Sequence, residues 1–301
     1  MRSLAAALAT GPVVLDGGLS TELEAQGHDV SSALWSARLL HDDPGAIVAA
    51  HAAFAAAGAQ VATTASYQAT LPGFVAAGVS RRRAEALIER SVQLAEEGQG
   101  GDGWVAGSVG PYGAMLADGS EYTGSYVDHL TLADLRAFHR PRMELLARAG
   151  ADVLACETVP AAAEAEALIT EADVLGIPIW LSLTTVVDED GVVRTRRGER
   201  AADVFAMTGD VESVIAVGVN CTSPTAVGAS IAVAAAAGKP VVAYPNSGEG
   251  WDAVGRRWTG SAGIPSDDVP AWVGAGARLI GGCCRVRPTD IAAIAAAVHG
   301  G

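Results

Sequence analysis

The most reactive side chains in this sequence are four cysteines, Cys156, Cys221, Cys283 and Cys284, and the last two stand side by side behind a glycine pair in residues 279–288, LIGGCCRVRP. A regular strand points neighbouring side chains to opposite faces, so Cys283 and Cys284 can serve one centre only where the ladder is broken. Gly281 and Gly282 offer such a break, through positive φ or a bulge, and would let both sulfurs turn toward Cys221. Three thiolates with a fourth position open match the way catalytic zinc is usually held. The spacing is no generic zinc pattern, and two other readings stand beside it: buried core thiols, which Cys commonly forms, and a strained vicinal disulfide. Cys156 reads differently. If Glu157 points inward, alternation turns Cys156 outward beneath the helices, as a core thiol and not a fourth ligand.

The elements that must position these residues repeat along the whole chain. Eight short apolar or β-branched runs, at 13–15, 61–64, 104–107, 153–156, 179–183, 214–219, 240–244 and 278–280, alternate with longer Ala-rich stretches of helical period. Gly-Ala punctuates the return from helix to strand at Gly58-Ala59, Gly150-Ala151 and Gly276-Ala277, where glycine suits the left-handed helix terminus. Helix starts are marked by Ser80, by Thr131 with Asp134 three residues on, and by Pro288, while Pro141 predicts a kink or a late start in the helix after Thr131. A doubly wound sheet has similar punctuation, but eight units favour an α/β fold of the (β/α)8 TIM-barrel type, one domain over 1–301. In such a barrel chemistry sits at the C-terminal strand ends. Here those ends carry Asp16-Gly17-Gly18, Ser66-Tyr67-Gln68, Ser108 to Tyr112, Glu157-Thr158, Thr184-Thr185, Asn220-Cys221-Thr222, Asn246 to Glu249, and the cysteine pair.

Composition narrows the partners. A formal charge of −14 with a single lysine, Lys239, argues against nucleic acid and anionic membrane surfaces and for a small molecule. No window approaches the length of a membrane span, and the apolar run at 4–9 is too short for a signal-peptide core and reads as a capping helix. Four scattered cysteines do not make a secreted disulfide scaffold, so the expected setting is a reducing cytoplasm. A metal-dependent barrel hydrolase would need His and Asp ligands at strand ends, yet the six histidines fall in helices, loops or the terminus. A barrel with structural zinc would need a closed fourth ligand, and no strand end offers one.

The segments LDGGLSTELEAQG, LWSARLL, ACETVP, GVNCTSP and GGCCR, together spanning essentially the whole chain, resemble the homocysteine S-methyltransferase family, zinc-dependent barrels that make methionine. Residues 108–126, SVGPYGAMLADGSEYTGSY, are similar to the branch that uses S-methylmethionine or S-adenosylmethionine, not betaine. The resemblance implies a methyltransferase with Zn2+ on Cys221, Cys283 and Cys284. It assigns the homocysteine amino group to Glu157 and Asp16, its carboxylate to the backbone at Gly17 and Gly18, and a place in the substrate site to Asn220. Where the betaine branch has Tyr after the strand-four Glu, this chain has Thr158. The implied donor is S-methylmethionine, with S-adenosylmethionine as the alternative donor and selenohomocysteine or selenocysteine as alternative acceptors; the expected state is a monomer or weak homo-oligomer. A sulfonium needs a pocket that tolerates a cation, for which the faces of Trp35, Tyr67 and Tyr112 are candidates beside their reading as packing aromatics, and the grouping near the first strand ends favours Tyr67 and Trp35 over Tyr112. Asp16 has an alternative reading as a turn or helix-capping residue, and Glu157 as the partner of a rim arginine. A carboxylate ending an apolar strand costs free energy unless paired, which favours function for Glu157. Arg285 either moderates the charge of the thiolates or is a solvated or capping residue.

Overall fold

The computed structural model describes residues 2–30, 36–101, 103–252, 257–259, 264 and 266–299. Eight strands form one sheet: β1 (Val13–Val14), β2 (Val61–Thr63), β3 (Trp104–Val109), β4 (Val153–Val159), β5 (Ile179–Leu183), β6 (Val214–Asn220), β7 (Val241–Tyr244) and β8 (Ala277–Ile280). Every pairing in it is parallel, in the order β1, β8, β7, β6, β5, β4, β3, β2. The ends meet through a parallel bridge between Leu15 and Val61, with the Asp16 amide donating to the Val61 carbonyl at 3.2 Å, so the sheet closes into the expected barrel. Around it run the helices α1 (Pro44–Ala56), α2 (Arg81–Gln99), α3 (Leu132–Arg148), α4 (Ala162–Leu175), α5 (Ala201–Ala206), α6 (Pro224–Ala235), α7 (Val269–Gly274) and α8 (Pro288–His299).

Strand alternation splits the core in two. Val13, Leu15, Val61, Ala155, Trp180 and Leu279 fill the barrel interior, while Val14, Ala62, Leu154, Leu181 and Ile280 face the helices. The N-terminal helix Leu4–Leu8 closes the bottom, its Leu4 and Leu8 packed into the inner cluster. Below the mouth, Trp180 donates its indole N–H to Tyr244 Oη at 3.0 Å, which satisfies the one polar atom of the largest interior side chain. The floor of the site is therefore solid.

The punctuation acts as its chemistry requires. Gly58, Gly150 and Gly276 have φ of 101°, 103° and 113° at the returns from helix to strand. Ser80 caps α2 by accepting from the Arg83 amide at 3.4 Å. Helix α3 starts at Leu132 and runs through Pro141 to Arg148, so the proline causes no late start. Its start is a reciprocal box: the Asp134 amide donates to Thr131 Oγ1 at 3.2 Å and the Thr131 amide donates to Asp134 Oδ2 at 2.9 Å. Thr131→Ala should cost about 1 kcal/mol of stability in urea unfolding. It should leave the thiols at the barrel mouth equally reactive.

Candidate active site

The three cysteines at strand ends six and eight come together. All three sulfurs lie within 4.8 Å of one another, and Cys221 Sγ is 3.8 Å from Cys284 Sγ. Sulfurs at the corners of a tetrahedron around zinc, with Zn–S near 2.3 Å, would be about 3.8 Å apart. The donor set therefore fits a thiophilic ion in both chemistry and spacing. Cys156 is fully buried in the outer core between barrel and helices, away from this triad, as strand alternation predicts.

The adjacent pair reaches one centre by a route that differs from the expected glycine distortion. Neither Gly281 nor Gly282 has positive φ; the left-handed residue is Arg285, at φ 67°. The glycines instead continue the ladder, with Gly281 N–H donating to the Ala243 carbonyl at 3.1 Å and Gly282 N–H to that of Asp16 at 3.0 Å. What they supply is room, because a Cβ on Gly282 would lie 2.2 Å from Val286 Cγ1. Cys283 ends the ladder, its N–H donating to the Pro245 carbonyl at 2.8 Å, and a turn then closes from Val286 N–H to the Cys283 carbonyl. Cys284 begins that turn and is held by the strand-seven end, donating its N–H to Asn246 Oδ1 at 3.2 Å and accepting at its carbonyl from the Ser247 amide at 3.0 Å. The change from ladder to turn between the two residues is what frees their side chains from alternation.

Strand β4 carries a second built-in irregularity. Its register against β5 shifts between Cys156 and Val159, and Thr158 sits in the left-handed region at φ 58°. Asn220 clamps that residue: Thr158 N–H donates to Asn220 Oδ1 at 2.6 Å, and Asn220 Nδ2 donates to Thr158 Oγ1 at 2.7 Å. A non-glycine residue in this conformation persists only when its surroundings hold it. Asn220 also brings Nδ2 to 3.9 Å from Cys283 Sγ. Fully buried and outside the cavity lining, it is placed to organise the wall behind the site.

The sulfurs border a cavity at the barrel mouth. Asp16 and Glu157 both line it. Asp16 accepts from Thr63 N–H at 2.6 Å and Thr63 Oγ1 at 2.8 Å, and Glu157 accepts from the Ser108 hydroxyl. Burial nevertheless pushes both carboxyls up, each to about 7. The Thr63 bonds oppose the rise at Asp16, and the Ser108 and Tyr244 hydroxyls oppose it at Glu157. Gly17 and Gly18 let strand end one approach strand end eight; a Cβ on Gly18 would lie 2.6 Å from the Cys283 carbonyl oxygen. The Gly18 amide is engaged, donating to the Val286 carbonyl at 3.0 Å, whereas that of Gly17 has no acceptor among the described residues.

Of the aromatic candidates, Tyr67 lines the cavity. Tyr112 does not: its ring packs 4.7 Å from Phe138 and 5.4 Å from Tyr126. Trp35 lies outside the described residues. Sequence reasoning missed Tyr122 and Tyr244, which also line the cavity. Hydrogen bonds from Cys221, Cys283 and the Tyr122 hydroxyl hold Cys284 well below the ordinary thiol range. The position of Tyr122 inside the donor-branch segment was the available signal. Arg285 pairs its Nε with Glu249 Oε2 at 3.1 Å. Among the described residues no Lys, Arg or His lines the cavity.

This geometry belongs to a methyltransferase barrel. The sequence profile described as homocysteine S-methyltransferase matches residues 13–298, and the chain belongs to that family. It is 44% identical to a homocysteine S-methyltransferase of Escherichia coli, with 94% of each chain covered. It is 41% identical to a selenocysteine Se-methyltransferase of Brassica oleracea, over 94% of this chain and 88% of that one. Among solved structures, the metallated form of the homocysteine methyltransferase MmuM from Escherichia coli superposes with a TM-score of 0.83 at 42% identity, covering 95% of this chain and 96% of that one.

The raised carboxyl of Glu157 has a consequence for stability. A folded-state value of about 7, against 4.5 for the free group, means that folding is favoured below about pH 4.5 and that this contribution is lost as the pH rises through 7. Glu157→Gln, which can still accept from Ser108, should therefore raise the melting temperature of the metal-free protein at pH 8. The gain should shrink toward zero by pH 4, as followed by calorimetry.

Proposed function

We propose that the protein transfers a methyl group from S-methylmethionine to L-homocysteine, with Zn2+ held by Cys221, Cys283 and Cys284. The observation that carries this reading is the sulfur triad, with all three Sγ atoms within 4.8 Å beside a cavity that holds two carboxylates and no cationic side chain among its described lining. Zinc at that site would bind the homocysteine sulfur and keep it as a nucleophilic thiolate at neutral pH. The chain's own groups do the rest. Asp16 and Glu157 receive the homocysteine ammonium, and the free Gly17 amide receives the carboxylate, with Gly18 setting the close approach of the two strand ends. Asn220 holds Thr158, and through it the bulge that presents Glu157. The Tyr67 face borders the sulfonium and favours a cation, an interaction worth about 0.5–2 kcal/mol.

The reaction then needs orientation above all. The donor methyl must sit about 3–3.5 Å from the acceptor sulfur and in line with the bond that breaks. The acceptor sulfur forms the new C–S bond as the old one breaks, and its electron pair stays on the donor sulfur, which becomes a neutral thioether. Starting from S-methylmethionine, both products are methionine. The small-molecule substrates agree with the acidic surface, and no helix among the described residues is long and apolar enough to cross a membrane.

Three measurements test the reading. Purified protein should hold about one zinc per chain, and Cys283→Ser or Cys284→Ser should lose both metal and activity, while Cys156→Ser keeps both; full metal occupancy in either of the first two would exclude the ligand set. Thiol consumption by homocysteine should be faster with S-methylmethionine than with S-adenosylmethionine, and the reverse order would reassign the donor. Glu157→Gln should raise the KM for homocysteine roughly tenfold or more with zinc still bound, as expected on loss of a charge-assisted bond of about 1.5–3 kcal/mol.

A further inference from the structure

A charged cluster lies wholly buried behind the cavity wall and takes no part in the chemistry proposed above. His139 and Arg142 stand one turn apart on α3, and Glu164 meets them from α4. All three are at most 1% exposed, and none lines the cavity. A guanidinium can only donate, so the 3.2 Å contact between Arg142 Nη2 and His139 Nδ1 makes that ring nitrogen the acceptor. The ring proton therefore sits on Nε2, which donates to Glu164 Oε1 at 2.9 Å. Burial holds the imidazole below its ordinary range, in keeping with a neutral ring. Glu164 is filled by two further donors, the Tyr112 N–H at 2.6 Å and the Tyr126 hydroxyl. The result is a fixed chain from Arg142 through His139 to Glu164, with a cation at one end and an anion at the other.

The end of that chain nearest the cavity is the guanidinium. Arg142 Nη1 donates to the Tyr67 carbonyl at 3.1 Å and Nη2 to the Gly110 carbonyl at 2.6 Å, so one planar group ties the segment after β2 to the end of β3. Tyr67 lines the cavity, and its ring is set against the same peptide. A Cβ on Gly110 would lie 2.6 Å from the Tyr67 carbonyl oxygen and 2.8 Å from ring atoms Cδ2 and Cε2. Both the backbone and the ring of Tyr67 are therefore referenced to Gly110, and Gly110 to Arg142. Packing alone does not call for charges here, since replacing a buried ion network by apolar side chains of similar volume is often neutral or stabilising. What the fork supplies is direction, with two carbonyls held by one rigid plane.

We propose that Arg142, locked by His139 and Glu164, is a positioning residue for methyl transfer: it fixes the Tyr67 ring as the aromatic wall of the cavity. It touches no substrate itself. The assignment rests on the reading above that the Tyr67 face borders the sulfonium, and deepens it by naming the residues that hold that face in place. A cation is attracted by a ring only when it sits over the face, so a wall that shifts loses donor affinity. The thiols, on β6 and β8, and the carboxyls held by Thr63 and Ser108 are anchored elsewhere.

The test is a double-mutant cycle of Arg142→Lys and Tyr67→Ala, read by steady-state kinetics with S-methylmethionine as donor at saturating homocysteine. Arg142→Lys keeps the buried charge that Glu157 also feels and removes the fork, because one ammonium cannot hold both carbonyls as the plane does. It should raise the KM for S-methylmethionine roughly three- to tenfold, with zinc content and the KM for homocysteine unchanged. Tyr67→Ala should raise the same constant. Adding Arg142→Lys to Tyr67→Ala should raise it no further, since a residue that acts through the Tyr67 ring then has nothing to position. If Arg142→Lys does not fold, Arg142→Met combined with Glu164→Gln, which removes both buried charges together, takes its place in the cycle. An unchanged KM for S-methylmethionine in the single variant, a matching rise for homocysteine, or two effects that multiply in the combined variant overturns the assignment. If the wild-type protein uses S-adenosylmethionine instead, the same cycle is run with that donor. A wild-type protein inert toward both donors overturns the methyl-transfer reading itself, and the positioning role with it.

Discussion

Negative charge without a resident counter-charge is the constraint on which the rest of this structure depends. Three thiols and two carboxyls border one buried cavity, and no Lys, Arg or His shares its described lining. Arg285, the nearest arginine in sequence, pairs with Glu249, and Arg142 lies behind the wall, donating to the Tyr67 and Gly110 carbonyls. Such a site is poor at folding alone, because each buried anion loses hydration without a partner. The raised carboxyls of Asp16 and Glu157 express this directly. On the function proposed above, the positive charge that completes the mouth would arrive from outside, as a metal ion, an ammonium and a sulfonium.

Holding that mouth open for ligands while the barrel stays closed requires local departures from regular strands. At strand end eight, absent side chains at Gly281 and Gly282 let the chain pass against strand end one, and a turn at Arg285 then frees Cys284 from alternation. At strand end four, the left-handed Thr158 presents Glu157, and Asn220 from strand six stabilises it through two hydrogen bonds. Asn220 also contacts Cys283, so the same side chain links the acid that would bind substrate to the thiols that would bind metal. Both departures sit above a floor of packed residues, Trp180 and Tyr244 among them, that fixes the strand ends in place.

Much of this was legible in the sequence, for physical reasons. The barrel could be read because each strand is a short apolar run and each return carries a glycine that positive φ demands, as at Gly58, Gly150 and Gly276. Convergence of Cys221 with the adjacent pair followed from where the runs end. The use made of Gly281 and Gly282 did not, since close approach and positive φ both call for glycine and only coordinates separate them. Asn220 read as a substrate contact because a polar strand end looks the same whether its side chain faces ligand or clamps a neighbouring bulge. Tyr122 depends on how the long segment after β3 folds back over the mouth, which no local periodicity encodes. Tyr112, a candidate from the same segment, turned out to pack against Phe138 for that reason.

The central claim is that the thiols hold an ion whose open position takes the substrate sulfur. X-ray absorption at the zinc edge of the zinc-loaded protein, with and without homocysteine, tests it most directly. The account predicts three sulfur neighbours at about 2.3 Å in the free protein and four when homocysteine is bound. A sulfur shell that stays at three, or that includes fewer than three sulfurs from the start, would contradict it.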